Sequence, residues 1–177
     1  MLKEKWDILD EVGQPTGKTT VRGHSFLKQG EYHLVVHIWI VSPDGRFLIQ
    51  RRADSKKLMP GEWAATGGAA ISGEDSYTAA NRELFEELGI KSDKSTLKKL
   101  LRIKRRNSLL DIWLIVCNTP ADDLVLQESE VAEAKWIEKD ELCRMIDDGK
   151  FHNYGKEYFN AVFEKIDNYN GYKGAII

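Results

Sequence analysis

The stretch YHLVVHIWIV, Tyr32 to Val41, limits what this chain can become more than any other. β-Branched and aromatic side chains fill it, a composition suited to a pleated strand and poor for a helix. Side chains on a strand alternate between faces. Leu34, Val36, Ile38 and Ile40 therefore share one side, and His33, Val35, His37 and Trp39 the other. The turn SPDG ends the run, and RFLIQRR reads as its hairpin partner. Upstream, WDILDEVGQPTGKTTVRG reads as a strand, a turn around VGQPTG and a return strand. DIWLIVCN is another strand and EAKWI a shorter one. Helices are expected over Ser76 to Leu88, Lys139 to Asp148 and Lys156 to Asp167, the first two stopped at Gly89 and Gly149. Strands interrupted by three helices give an α/β fold, a mixed sheet with helices on its faces.

A chain of 177 residues fits one domain, 1–177, with a substantial core. A formal charge of −2 argues against a general binder of nucleic-acid polymers or anionic membranes. The basic run LKKLLRIKRR accordingly reads as a solvated strand edge. No apolar run approaches the ~20 residues that span a bilayer. MLKEKWDILDEVG lacks the apolar core of a secretory signal, so a cytoplasmic location is expected. Cys117 and Cys143 lack metal-site spacing and read as two buried free thiols. YFNAVFEKI has an apolar face at helical spacing, packed either within the chain or across a homodimer.

The segment GGAAISGEDSYTAANRELFEELGI, Gly67 to Ile90, crowds Glu83, Glu86 and Glu87 into five residues of one helix. At about 100° per residue, Glu86 falls near −60° and Glu87 near +40° from Glu83, so the three carboxylates share a face. Ala80, Leu84, Tyr77 and Leu88 form a stripe that can bury against a sheet. Ala79 lies under the carboxylates and leaves room for a ligand. Like charges at this spacing repel. A hard divalent cation, Mg²⁺ or Mn²⁺, turns that repulsion into attraction. A solvated Glu-rich face is the plainer reading of ELFEEL alone. The preceding TGG shifts it, because glycines let a backbone carbonyl approach a ligand closely. Glu74 stands at the helix start, and Arg82 is placed to reach back to it.

Together these residues resemble the Nudix hydrolase signature, G-x5-E-x7-R-E-U-x-E-E-x-G-U, with U aliphatic. Gly68, Glu74, Arg82, Glu83, Leu84, Glu86, Glu87, Gly89 and Ile90 fill it without insertion, over residues 68–90. The resemblance implies a Nudix-type α/β/α sandwich, a Mg²⁺ or Mn²⁺ cofactor and hydrolysis of a nucleoside diphosphate linked to another group. It further implies metal ligands at Glu86 and Glu87, and a ligand or water-activating base at Glu83. The carbonyl of Gly67 or Gly68 completes the site, and Arg82 with Glu74 steadies it. A further acidic ligand from a later loop is expected at Glu128 or Glu130. Arg51 or Arg52 is expected to contact phosphate, because guanidinium binds it bidentately, with a structural ion pair as the alternative. Among Trp39, Trp63 and Trp113, Trp63 is best placed to line the site, since it precedes the glycine segment.

The N-terminal half is also similar to the Nudix branch that includes isopentenyl diphosphate isomerase, through WDILDEVGQPTG, YHLVVHIWIVSPDGRFLIQRR and KKLMPGEWAATGG. That isomerase is a rival reading, and it fails at identifiable residues. Gly67 stands where its catalytic cysteine falls. His24 and His33 match two of its metal histidines, but the third position is Ala69, and its glutamate pair aligns with Leu109 and Asp111. His24 and His33 then read as structural histidines or as contacts to the non-phosphate part of a substrate. A non-catalytic ligand-sensing domain is a third reading, against which the complete set of carboxylates stands.

Overall fold

A computed structural model describes residues 4–23 and 27–169, so His24 lies outside the described residues. The Tyr32–Val41 run becomes β3 (His33–Val41), the axis of a mixed sheet. On one side β3 pairs in parallel with β8 (Ser108–Val116) along its whole length, from His33↔Ser108 to Val41↔Val116. β8 in turn carries β7 (Leu97–Lys104) as an antiparallel edge. On its other side β3 holds the hairpin partner β4 (Phe47–Arg52) at only two pairs, Ile40↔Leu48 and Val41↔Phe47. β4 then diverges to pair with β9 (Val131–Ile137) and β5 (Trp63–Ala64). The backbone of β3 left open by that divergence is taken up by β6 (Thr66–Ala69), from Ile38↔Thr66 to Val35↔Ala69. The TGG segment is therefore a strand, because exposed ladder groups of β3 need partners. The β1 (Lys5–Leu9) and β2 (Pro15–Val21) hairpin forms its own two-stranded sheet, tied to the rest by a bridge between Leu9 and Tyr32.

Helices cover both faces. α1 (Ser76–Leu88) packs Ala79, Ala80, Leu84 and Leu88 against Leu34, Val36, Ile38 and Ile40. α2 (Lys139–Asp147) and α3 (Lys156–Asp167) cover the opposite face, where Leu142, Tyr158, Phe159, Val162 and Ile166 meet Trp39, Phe47, Leu110 and Ile112. The result is an α/β/α sandwich. The apolar face of YFNAVFEKI is thus spent within the chain. Three expectations change in detail. Ala79 is fully buried in the α1 core and leaves no ligand space. Cys117 and Cys143 are free, but only half-buried. The N-cap of α1 is Asp75, whose carboxylate accepts from the Thr78 N–H at 2.7 Å, so Glu74, expected at the helix start, stands one residue ahead of the cap. At the other end Gly89 takes the left-handed conformation (φ 71°) that closes α1, with its N–H donating to the Phe85 carbonyl.

Candidate active site

A cavity of ≈ 580 Å³ opens where β4 departs from β3, and Gly67, Gly68, Glu83, Glu86, Glu87 and Glu130 all line it. The sequence dictates this convergence locally. A Cβ on Gly67 would overlap the Val36 carbonyl of the paired strand, and one on Gly68 would overlap the Glu83 carboxylate. Two adjacent residues without side chains thus let β6 lie flat on β3 while Glu83 settles onto its backbone.

The carboxylates differ in surroundings. Glu87 is buried, and its Oε2 accepts from Gln50 Nε2 at 2.9 Å and from the Gly67 N–H at 3.3 Å. No cationic side chain forms an ion pair with it among the described residues. Burial first, and the Glu83 charge second, push its pKa up to about 8. Burial likewise raises Glu83, partly offset by Arg82. Glu86 is the exposed member. Arg82 links the set: it donates to both Glu74 oxygens at 2.7 and 3.0 Å, to Glu83 at 2.9 Å, to Glu86 at 3.0 Å and to the Ala69 carbonyl at 3.2 Å. With Arg82 holding Glu83 and Glu86 and Glu87 turned inward, no three His, Cys, Asp or Glu side chains among the described residues stand as a closed ligand cluster. The donor set still fits a hard divalent cation. It offers three carboxylates and glycine carbonyls, one carboxylate lacks any positive partner, and the neighbouring Gln50 Oε1 is buried without a hydrogen bond.

Strand alternation separates the two arginines. Arg52 lines the cavity, donates to the Leu58 carbonyl at 3.1 Å and has no carboxylate partner among the described residues. Arg51 points away, held by Asp54 at 3.2 Å and Glu133 at 3.5 Å. Trp63 does not line this cavity; its ring lies under the Lys135 ammonium on the outer side of β5. Glu130 faces the cavity with Lys56 at 2.5 Å, whereas Glu128 does not line it. His33 stacks on Trp6, both lining the cavity, and burial with the nearby Arg22 charge lowers its pKa to about 4.

Several lining residues escape sequence reasoning. Gln50 supports Glu87 from β4, and Arg105 reaches the cavity from the turn after β7. His152 is paired with Glu62 at 2.6 Å, and Tyr154 stands beside His37, both lining the cavity from the segment before α3. The strand parity of RFLIQRR could have grouped Gln50 with Arg52. Nothing local marks the others.

Fold and site together define the class: an α/β/α sandwich in which a glycine strand runs into a carboxylate-bearing helix. The chain belongs to the Nudix family, whose NUDIX domain model matches residues 31–159. It is 40% identical over 161 residues to an uncharacterised Nudix hydrolase of Listeria monocytogenes, covering 90% of this chain and 94% of that one. It is 32% identical over 114 residues to the nucleoside triphosphatase NudI of Salmonella typhimurium, covering 59% of this chain and 81% of the relative. Its fold matches the crystal structure of DR0079 from Deinococcus radiodurans with a TM-score of 0.71 at 22% identity, over 84% of this chain and 91% of that one. The chain is a Nudix hydrolase.

Proposed function

We propose that this chain hydrolyses the diphosphate linkage of a nucleoside diphosphate derivative or a related small organic diphosphate, with Mg²⁺ as cofactor and Mn²⁺ as a substitute. The observation that carries this reading is Glu87, a carboxylate buried where α1 meets β6 with only neutral donors around it. A buried carboxylate without a cation is costly as pure structure and is stabilised once a divalent ion arrives. The nucleotide preference draws support from the similarity to NudI, a nucleoside triphosphatase.

Divalent cations held at these carboxylates would neutralise phosphate oxygens and acidify a water. Glu86 and Glu87 would be the principal ligands, Glu83 a ligand or the base that takes the proton from water, and the Gly67 or Gly68 carbonyl a further donor. Glu130, which lines the same cavity, would be an additional ligand once it parts from Lys56. Burial raises the pKa of Glu83 above the ordinary carboxylate value, the direction a proton acceptor requires, and the Arg82 guanidinium opposes that rise. Arg82 fixes the orientation of Glu83, and the Arg52 guanidinium, which has no carboxylate partner among the described residues, binds phosphate. The same reading takes residues 1–177 as one domain, since both cores are built on a single sheet.

The isomerase alternative meets two obstacles. Gly67 offers no thiol, and Asp111 shares the β-sheet face of Val36, opposite to His33, where Arg102 and Lys99 hold it at 2.6 Å. The deciding experiment is phosphate release from a panel of nucleoside and isoprenoid diphosphates with Mg²⁺ or with chelator. Turnover that needs Mg²⁺ and is lost in Glu86→Gln and Glu87→Gln supports the proposal. Chelator-resistant turnover, or isomerisation of isopentenyl diphosphate without phosphate release, overturns it.

A further inference from the structure

The segment before α3 brings to the cavity an imidazole that the carboxylates of α1 do not account for. Its backbone is docked on β5: the His152 N–H donates to the Trp63 carbonyl at 2.7 Å, and Phe151 bridges Trp63 in parallel. The Tyr154 N–H donates to the His152 carbonyl at 3.0 Å, and Asn153 Oδ1 accepts from the Gly155 N–H at 3.0 Å. These bonds fix where the His152 ring stands. Two contacts fix how it is turned. Tyr154 meets it edge-on with centroids 4.8 Å apart, and Glu62 Oε2 lies 2.6 Å from Nδ1. A carboxylate at Nδ1 keeps a proton on that nitrogen and leaves Nε2 to do chemistry. His152 lines the cavity whereas Glu62 does not, so the carboxylate stands behind the ring rather than between it and a substrate. His152 Nε2 makes no hydrogen bond among the described residues.

Short steps join this ring to the carboxylate wall. Tyr154 lies beside His37 with centroids 4.7 Å apart, His37 pairs with Gly67 across the β3–β6 ladder, and the Gly67 N–H reaches Glu87 Oε2 at 3.3 Å. The other imidazoles of the cavity are differently placed. His37 is buried with Nδ1 against the Tyr158 hydroxyl at 2.9 Å, and His33 is stacked on Trp6. Neither has a carboxylate partner among the described residues, and the lining arginines do not give up protons in water.

We propose that His152, oriented by Glu62, is the proton donor to the phosphate that departs when the diphosphate linkage is cut. The proposal rests on the diphosphate-hydrolase reading above and adds to it a catalytic residue outside α1. As the oxygen of water bonds to one phosphorus, the bridging P–O bond breaks and its electron pair stays on the bridging oxygen. That oxygen takes the proton from His152 Nε2. The proton lost by the attacking water goes to the base and on to solvent, and the neutral imidazole takes one back from solvent through the open cavity. Glu62 is the positioning residue: its charge favours the imidazolium before transfer and holds the Nδ1–H after it. A plain brace between the β4–β5 loop and the segment before α3 would use Nδ1 alone, and any hydrogen-bonding side chain could supply it.

The test measures kcat and KM for nucleoside diphosphates and triphosphates with Mg²⁺ in wild type, His152→Gln and His152→Ala. Glutamine keeps an N–H for bracing or binding but has no proton to give. His152→Gln lowers kcat about 100-fold while KM stays within about threefold. Substituted imidazoles added to His152→Ala restore turnover at rates that track their pKa. Normal kcat in His152→Gln, or rescue indifferent to the pKa of the added imidazole, overturns the proposal. Should His152→Ala fail to fold, His152→Gln carries the same expectation. Nitrogen NMR of the His152 ring, titrated with methylenediphosphonate, gives a readout independent of turnover. Wild type shows one tautomer and a shift at Nε2, whereas in Glu62→Ala the two tautomers mix and kcat falls. An Nε2 that shifts supports the contact even if no diphosphate is hydrolysed, and one that does not move contradicts it even if hydrolysis proceeds.

Discussion

Gly67 and Gly68 are neighbours, yet a methyl group added to each has different consequences. At Gly68 the new Cβ meets the far end of a flexible side chain, the Glu83 carboxylate. Gly68→Ala is therefore expected to change stability by less than about 0.5 kcal/mol. It moves Glu83 off its seat, and a displacement of that kind costs roughly 100-fold in kcat. At Gly67 the Cβ meets the Val36 carbonyl, which cannot give without breaking the β3–β6 pairing. Gly67→Ala is expected to destabilise the fold by about 1–3 kcal/mol. Paired thermal melts and turnover assays separate the two. A Gly68→Ala enzyme with normal turnover would remove Glu83 from the mechanism. The same scale explains why Arg51 and Arg52 could not be told apart beforehand. They differ only in which side of one strand they face, and the parity is set by where Leu48 and Phe47 pack.

At the scale of elements, α1 is fastened to the sheet by charge as well as by its apolar stripe. Arg82 spans from the helix to Glu74 and the Ala69 carbonyl, closing the loop between β6 and α1. Glu74→Ala frees Arg82 to sit deeper among Glu83 and Glu86. Melting temperature and turnover should both fall, and an unchanged melting temperature counts against the clamp. The β7–β8 pair has its own lock. Asp111 is fully buried, and Arg102 Nε at 2.6 Å, Arg102 Nη2 at 2.8 Å and Lys99 Nζ at 2.6 Å surround its carboxylate. Burial alone would raise its pKa, but the hydrogen bonds from Arg102 and Lys99 outweigh that and hold it below the ordinary 3.8. The unfolded chain then takes up a proton here before the folded one does. Stabilisation by Asp111 is complete above 3.8 and is lost as pH falls through the depressed value. Asp111→Asn should lower stability by about 2–3 kcal/mol at pH 7, with the gap to wild type narrowing below that ordinary value. Chemical denaturation across the acid range measures it, and a gap independent of pH would contradict the assignment.

Across the whole molecule, the Tyr158 hydroxyl adds a polar tie to the apolar packing of α3 on the sheet. Trp39 Nε1 donates to Tyr158 Oη at 3.0 Å, and His37 Nδ1 lies 2.9 Å from the same oxygen. Tyr158→Phe orphans both buried ring nitrogens and should cost about 1–3 kcal/mol, read as a shift of roughly 2–4 °C per kcal/mol in melting temperature. Much of this architecture was legible in the sequence. The β-branched run, the three helices and the carboxylate face each declare themselves through local periodicity. What stayed hidden depends on where strands part. The divergence of β4 from β3 created both the cavity and the need for β6, and no local pattern records a divergence. It also carried Trp63 to the outer side, while Arg105 and Tyr154 reached the cavity from segments far along the chain. The Glu cluster was readable because its members lie within five residues of one another. Gln50 supports Glu87 across a gap of 37 positions and was not.

The central claim is that the carboxylates of α1 hold divalent ions beside a diphosphate. Anomalous scattering from crystals soaked in Mn²⁺ tests it directly. The account predicts manganese peaks within coordination distance of Glu83, Glu86 or Glu87, lost in the Glu87→Gln variant. Manganese bound only elsewhere, in an enzyme that still cleaves diphosphate, would contradict it.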